Sequence, residues 1–373
     1  MERDRLIRIL QVGMSPYYGG TEAFIMSQYR EIDKSKIQFD FLNVYNEKIA
    51  CQDEIEKLGG KIYYLDMARH HGIKAYYKNL DLFFAENAEK IDAVHCNYQS
   101  LINTDILKYA KKHGIKVRIA HAHNSGYGTE PNKKQKLIIA LNRKTLGLYA
   151  THFFSCSSLA AQWMFGRQAT VIKNAINTEK FLFSPDKRAS VRKQLGILNE
   201  FVVIFVGRLD PQKNPLFMLE IFTELKAIKK NSKLIVVGDG VLRNEMLAHI
   251  KDLNINDAVM MLGSRDDVND LLQAADAFLL PSKFEGLGIV LIEAQAAGLP
   301  TFTSEKVVPI DVKITELLEF ISLDRPAKEW AYIITNNISD NRINVKNEIC
   351  SAGYDSYLNA KKLERLYLQL LRG

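Results

Sequence analysis

Cysteine is scarce. The 373-residue chain has four, Cys51, Cys96, Cys156 and Cys350, far apart and without a C-x-x-C pair. That excludes a disulfide framework and a cysteine zinc cluster, and it suits free thiols in a reducing compartment. No apolar run reaches the roughly 18 residues of a membrane span. The opening MERDRLIRILQVG mixes acids with bases and has no small-residue cleavage site, so no signal peptide is expected. Internal repeats are absent, which excludes a solenoid or propeller. Also absent are G-x-G-x-x-G, G-x-x-x-x-G-K-[ST] and H-E-x-x-H, the marks of a dinucleotide dehydrogenase, a P-loop enzyme and a zinc hydrolase. What remains is ordinary globular usage, 47% hydrophobic and 25% charged, in a length that suggests two domains.

Charge is unevenly spread. The net charge is +7, but residues 1–188 carry 28 Lys and Arg against 19 Asp and Glu, and residues 189–373 carry 22 against 24. The excess in the first half fits an anionic partner such as a membrane surface, a phosphorylated substrate or nucleic acid; it also fits plain solubility. No nucleic-acid-binding module is present, so no nucleic-acid partner is expected.

Short apolar runs alternate with amphipathic stretches. Strands are predicted at 6–12, 37–44, 61–65, 92–96, 116–120 and 152–156, then at 201–206, 233–237, 258–262 and 277–280. Uninterrupted Val, Ile, Leu and Phe runs between helices indicate parallel strands buried on both faces. The expected fold class is α/β, with two doubly wound, Rossmann-like domains at 1–185 and 186–354. The segment 184–188, SPDKR, reads as the linker, and the amphipathic stretch 355–373 can cap the sheet of either domain, including by packing back on the first. Ligands of such sheets bind beyond the carboxyl ends of the strands. The informative residues follow those strands.

After the first strand, Gly19 and Gly20 open a helix, where free N–H groups favour a phosphate; a plain strand-to-helix turn reads equally well. After the strand 201–206 comes 207-GRLDPQKNP-215, whose Arg208 and Lys213 can converge on a diphosphate or lie as solvated charges. The segment 281-PSKFEGLGIVLIEAQAAGLP-300 places Glu285 in a glycine-rich loop and Glu293 about one turn into the next helix. Two carboxylates suit sugar hydroxyls better than a phosphate, although a helix-dipole acid and an exposed helical Glu would look alike. In 117-VRIAHAHNSGYG-128, His121 and His123 point to one side of a strand end, as substrate contacts or as packed side chains; no third ligand completes a zinc site.

In order along the chain, GGTE at 19–22, HAHN at 121–124, SCS at 155–157, IKNAIN at 172–177, GRLDPQKN at 207–214, VGDG at 237–240, LGSRDDV at 262–268 and the E-x7-E pair at 285 and 293 resemble the family-4 retaining glycosyltransferases of GT-B fold. The region 304–324 looks like the branch making bacterial exopolysaccharide or capsule. The resemblance implies two Rossmann-like domains facing a cleft, with acceptor on the first and nucleotide-sugar donor on the second. It implies that Arg208 and Lys213 neutralise the donor diphosphate, that Glu285 with Gly286, Leu287 and Gly288 holds sugar and phosphate, and that Glu293 bonds the ribose. The backbone at Gly263, Ser264 and Arg265 meets the base beside Val268. Gly207 and Gly238 line the same loops, and Gly19 and Gly20 complete the phosphate site. The transferred sugar is contacted by His123, with His121 as the rival. No D-x-D motif follows a suitable strand, so metal-independent chemistry without a cofactor is expected. Two departures stand out: Asn174-Ala175-Ile176-Asn177 replaces the usual N-G-[VI]-D, and Val307-Val308-Pro309-Ile310-Asp311 replaces a glycine-rich loop.

Residues 133–150 combine Lys133, Lys134, Lys136, Arg143 and Lys144 with apolar residues, and 69-RHHGIKAYYKNLDLFF-84 combines His and Lys with Tyr76, Tyr77 and two Phe. Both read either as core helices with basic outer faces or as peripheral docking on anionic lipid. The latter fits a cytoplasmic enzyme acting on a lipid-linked saccharide. The alternatives are a sugar-nucleotide epimerase or hydrolase of the same fold, and a non-catalytic partner of another transferase.

Overall fold

The structure, a computed structural model, describes residues 5–45, 47–65, 72–127, 130–338 and 341–372. The chain forms two compact units, Met1–Ala175 with Ser356–Gly373, and Ile176–Asp355. The segment 184–188 is not a linker. Ser184 caps helix Pro185–Gln194, its Oγ accepting from the Lys187 N–H at 3.3 Å, with Pro185 in the first turn. Ser followed by Pro is a helix start. A short polar stretch with Pro serves a helix start as well as a linker.

Among the described residues the first unit holds seven parallel strands: β1 (Ile7–Val12), β2 (Ile37–Asn43), β3 (Ile62–Tyr64), β4 (Ala93–Tyr98), β5 (Val117–Ala122), β6 (His152–Ser155) and β7 (Thr170–Val171). Their order is β3-β2-β1-β4-β5-β6-β7, so strand order reverses between β1 and β4. The second unit holds β8 (Phe201–Val206), β9 (Ser232–Val237), β10 (Val259–Gly263), β11 (Ala277–Leu280), β12 (Thr301–Ser304) and β13 (Leu318–Ile321) in the order β10-β9-β8-β11-β12-β13, reversing between β8 and β11. Strands β7, β12 and β13 were not expected from sequence. They are two to four residues long, and the Thr and Ser of β12 interrupt the apolar run that marks its neighbours.

The central strands are hydrophobic because both faces are covered. Val202–Phe205, Leu234–Val236 and Ala277–Leu280 are all essentially inaccessible. In the first unit one face of the sheet packs with Leu80, Phe84 and Leu107, the other with Phe24, Tyr29, Leu363 and Tyr367. The last two belong to helix Ser356–Arg372, which buries Asn359, Ala360, Leu363, Glu364 and Tyr367 at helical spacing. This helix lies against helix Gly20–Glu31 in the first unit. Counted by unit, the first carries 29 Lys and Arg against 18 Asp and Glu, the second 21 against 25. The asymmetry is larger than a single cut at residue 188 reveals.

At the unit boundary, Ala175 has no positive φ and needs no glycine. Asn177 caps helix Thr178–Phe181, accepting from the Lys180 N–H at 3.3 Å. Ala and Asn therefore serve where glycine and acid are usual.

Candidate active site

At the carboxyl edge of the second sheet, the loops after β8, β9, β10 and β11 are tied into one surface. The Gly207 N–H donates to the Val237 carbonyl at 3.0 Å, Leu209 to Asp239 at 3.0 Å, Gly238 to Gly263 at 2.8 Å and Lys283 to Gln212 at 2.8 Å. Gly238 is obligatory: at φ +132° an added Cβ would lie 2.0 Å from the Gly207 carbonyl oxygen. Gly263 also has positive φ, +69°, and open space beside its Cα. The residues expected to hold the donor in the second unit thus share this edge, where β8 meets β11 and strand order reverses. Ligands of open α/β sheets bind at such a point.

Lys213 and Glu285 form a buried ion pair here, with Nζ to Oε1 at 2.6 Å and side-chain exposures of 14% and 4%. The Ser282 hydroxyl donates to the same oxygen at 2.6 Å. The Lys213 N–H donates to Asp210 Oδ1 at 3.1 Å, and the Glu285 N–H to the Val307 carbonyl at 3.1 Å. The loop that departs from the family pattern therefore braces Glu285. Arg208 is 73% exposed, its guanidinium 3.4 Å from Asp210. Lys213 is not the free cation that the sequence suggested; Arg208 is the more available of the two. Ser282 and Asp210 were missed because one loop serine and one loop acid carry no pattern.

Beyond Glu285, Gly286 has open space beside its Cα, and Gly288 caps helix Ile289–Ala296 at φ +75°. Such a helix start presents unpaired N–H groups. Glu293 lies one turn inside it, and no hydrogen bond or ion pair to its carboxylate occurs among the described residues. Burial pushes its pKa up to about 7. Ser264 and Arg265 are exposed; the Arg265 guanidinium grips Asp267 through two bonds of 2.8 and 2.6 Å, just before Val268 opens a helix.

A cavity of about 470 Å³ lined by Arg188, Arg192, Arg342 and Asp276 lies instead near Phe201, at the amino ends of the strands. Its guanidiniums hold the carbonyls of Ala274, Ala275 and Ala297. It braces helix ends and contains none of the expected donor residues.

In the first unit, helix Gly20–Glu31 starts with its acid turned inward. Glu22, 1% exposed, accepts from the Ser15 N–H at 2.9 Å and the Gly19 N–H at 3.0 Å. Gly19 therefore has no N–H to offer a phosphate, contrary to expectation. Gly20 keeps its N–H and has open space beside its Cα.

His121 and His123 do share a side, their rings stacked with centroids 4.2 Å apart. Phe24 meets His121 edge-on and His123 at a tilt. His123 Nε2 meets Asn97 Oδ1 at 2.9 Å, and His121 Nδ1 meets His95 Nε2 at 2.9 Å. Burial pushes the pKa of His123 down to about 3 and that of His121 well below its ordinary value, so both are neutral. His121 Nε2 and His123 Nδ1 are buried without partners. His95, Asn97 and Gln11 were missed; the available signal was a polar residue inside an apolar strand.

Helix Lys133–Thr145 buries only Ile139. Leu137 and Leu141 are 63% and 55% exposed, and at 100° per residue they share an arc of about 160° with Lys133, Lys134, Lys136 and Lys144. It is not a core helix. Arg143 is spent on the carbonyls of Trp163 and Met164. Helix Ile73–Asn87 is the opposite case: Tyr76, Phe83 and Phe84 are buried, so its aromatics are core. Arg69, His70 and His71 lie outside the described residues. No helix among the described residues is long and apolar enough to cross a membrane.

Three comparisons bear on this arrangement. The family Glycosyl transferases group 1 matches residues 187–317. The chain is 30% identical to EpsF of Bacillus subtilis, named as a glycosyltransferase, over 96% of each chain. It is 28% identical to the UDP-Gal:alpha-D-GlcNAc-diphosphoundecaprenol alpha-1,3-galactosyltransferase of Escherichia coli, over 80% of this chain and 79% of the other. The crystal structure of Anabaena HepE in complex with UDP and glucose superposes with a TM-score of 0.70 at 18% identity, covering 98% and 100% of the two chains. The two parallel-sheet units are the GT-B architecture.

Proposed function

We propose, from the premise that the chain belongs to the group 1 glycosyl transferases, that it moves a sugar from a nucleotide-diphosphate sugar, a uridine diphosphate sugar first among them, to a lipid-linked saccharide in cell-surface polysaccharide synthesis. Anomeric configuration is retained, and no metal takes part. The observation that carries this reading is the Lys213–Glu285–Ser282 cluster at the β8/β11 switch point, with exposed Arg208 beside it.

Cleaving the bond between sugar and diphosphate puts positive charge on the anomeric carbon and negative charge on the leaving phosphate. Arg208, as a planar fork, and Lys213, as a point charge, are suited to the phosphate oxygens. Lys213 then divides its donors between Glu285 and the phosphate, so the pair pre-positions it without waste of ordering entropy at the moment of reaction. The first N–H groups of helix Ile289–Ala296 add a partial positive charge. Glu285 accepts from sugar hydroxyls with its second oxygen, and Glu293 from the ribose. Leaving-group oxygen takes the acceptor's proton on the face from which it departs, which returns the original configuration. The pair of carboxylates is not a hydrolase pair, because no water is activated.

On the acceptor side, the Leu137–Leu141 face with its four lysines suits an anionic lipid surface, each Lys contributing about 1 kcal/mol there. The E. coli relative's named acceptor is undecaprenol-linked, which supports a lipid-linked acceptor for this chain.

The test is a thermal-shift screen of UDP-glucose, UDP-galactose and UDP-N-acetylglucosamine, followed by transfer or donor-hydrolysis assays in excess chelator. A donor that binds the folded state raises Tm by mass action. Glu285→Ala should abolish turnover; Glu285→Gln, which keeps the shape, should lose it while staying folded. Full activity in either variant refutes the assignment, and activity lost to chelator refutes metal independence. Free altered sugar as the product would point to the epimerase or hydrolase reading.

A further inference from the structure

Behind the two strand-end histidines lies a set of buried polar groups that the proposed transfer does not use. Tyr367, on helix Ser356–Arg372, is wholly buried against the sheet. Its hydroxyl lies 2.6 Å from His95 Nδ1 and accepts from Gln11 Nε2 at 3.1 Å. His95 Nε2 lies 2.9 Å from His121 Nδ1. Asn97 Nδ2 donates to Gln11 Oε1 and to the Val12 carbonyl, both at 3.1 Å. The strand register sets these side chains on one face: Gln11 stands beside His95, and Asn97 beside His121.

The partners fix the direction of every proton. Asn97 spends its N–H groups on Gln11 and Val12, so its oxygen accepts and His123 carries its proton on Nε2. Gln11, its oxygen filled by Asn97, donates its amide to the Tyr367 oxygen. The Tyr367 O–H then donates to His95 Nδ1, His95 donates from Nε2 to His121 Nδ1, and the His121 proton is left on Nε2. The reverse polarity would strand the buried Tyr367 proton without an acceptor, which the observed partners avoid. Burial holds His95 near a pKa of about 3, so each ring has one proton to place.

We infer that Tyr367 and His95 are positioning residues: with Gln11 and Asn97 they lock both strand-end histidines in the Nε2–H form, leaving a buried donor at His121 Nε2 and a buried acceptor at His123 Nδ1 for saccharide hydroxyls. A hydroxyl both accepts and donates, and these are the two buried ring nitrogens of the pair that have no protein partner. The relay runs between residues 272 apart in sequence. The chain's last helix thereby sets the chemistry of a strand end in the first unit. The use assigned to the relay rests on the reading that a sugar reaches His121 and His123.

The experiment is long-range 1H–15N correlation NMR on the full chain labelled at histidine, assigned by single His→Gln variants, together with turnover of the UDP-sugar that gives the largest thermal shift. Wild type should show His121 and His123 protonated on Nε2 alone. Tyr367→Phe keeps the ring and removes the hydroxyl; the His95 and His121 tautomers should become mixed, and kcat should fall about tenfold, the scale of one lost hydrogen bond, with donor KM little changed. His95→Gln restores an N–H where Nε2 stood and should hold turnover well above that of His95→Phe, which a merely structural role would not require. Wild-type tautomers and wild-type kcat in Tyr367→Phe overturn the relay. Full-rate transfer by both His121→Ala and His123→Ala, with tautomers still fixed in Tyr367 wild type, overturns the sugar contact and with it the use assigned to the relay.

Discussion

Glu293→Gln separates what a side chain does for folding from what it does for a ligand. Glu293 has no ion pair among the described residues to balance it, and burial raises its pKa from 4.5 to about 7. A carboxyl whose pKa rises on folding binds more protons in the native state than in the unfolded one between those two values, so stability falls as pH rises through that window. At about 1.4 kcal/mol per pH unit, the ionised side chain costs the native state about 3 kcal/mol once pH exceeds 7, and nothing below 4.5. Gln has nearly the same shape and no charge to desolvate. The variant should match wild type at pH 4.5 and exceed it by up to about 3 kcal/mol at pH 8, less whatever the amide costs in lost solvation. In the same variant the ribose loses a charged acceptor, so UDP should bind about 10–100-fold more weakly, since a hydrogen bond to a charged group is worth about 1.5–3 kcal/mol. Urea unfolding of both proteins from pH 4.5 to 8, followed by UDP titration calorimetry, reads the two effects. A stability difference that does not grow with pH refutes the desolvation argument; unchanged UDP affinity refutes the contact.

Two further outcomes test the frame and the surface. Gly238→Ala would set a Cβ 2.0 Å from the Gly207 carbonyl at φ +132°; the second unit should lose several kcal/mol, more than the roughly 1–3 kcal/mol of ordinary backbone strain, and a Tm within about 2 °C of wild type would refute the clash. Leu137→Ser with Leu141→Ser should leave Tm unchanged, since both are exposed, and should weaken sedimentation with phosphatidylglycerol vesicles about tenfold, the scale of two buried leucines offset by partial insertion. Undiminished binding refutes the docking face.

Period and run length made most of the architecture legible. β8, β9 and β11 are continuous apolar runs because both faces are covered, and such runs stand out in any order. β7, β12 and β13 did not stand out, because two to four residues hold no period. SPDKR misled because a helix start and a linker draw on the same residues. The candidate site divides along the same line. Arg208, Lys213, Glu285 and Glu293 were visible as charges after strands, but the mutual pairing of Lys213 and Glu285 was not, since it joins loops 72 residues apart. Tyr367 was beyond reach: within helix Ser356–Arg372 it occupies a core position by spacing, and nothing local distinguishes a packed ring from one whose hydroxyl is used.

The charge count gains meaning from the same pairing. The unit proposed to hold a diphosphate carries four more acids than bases, and its buried Lys213 is already matched by Glu285. Attraction for the donor therefore cannot come from the field of that unit; it has to come from direct contacts: the exposed fork of Arg208, the donors Lys213 can share, and oriented N–H groups that carry no net charge. Salt screens charges that lie more than about 8 Å apart at physiological ionic strength, whereas a guanidinium in direct contact with a phosphate lies well inside that distance and is screened much less. Removing Arg208 should thus weaken UDP binding by a similar factor at low and high salt. The 11 surplus cations of the first unit act the other way: on an extended anionic surface they add together, and vesicle binding should fall steeply between 50 and 300 mM NaCl. Salt is therefore the variable that separates the two anion contacts, and equal salt slopes for UDP and for vesicles would refute the division of labour between the units.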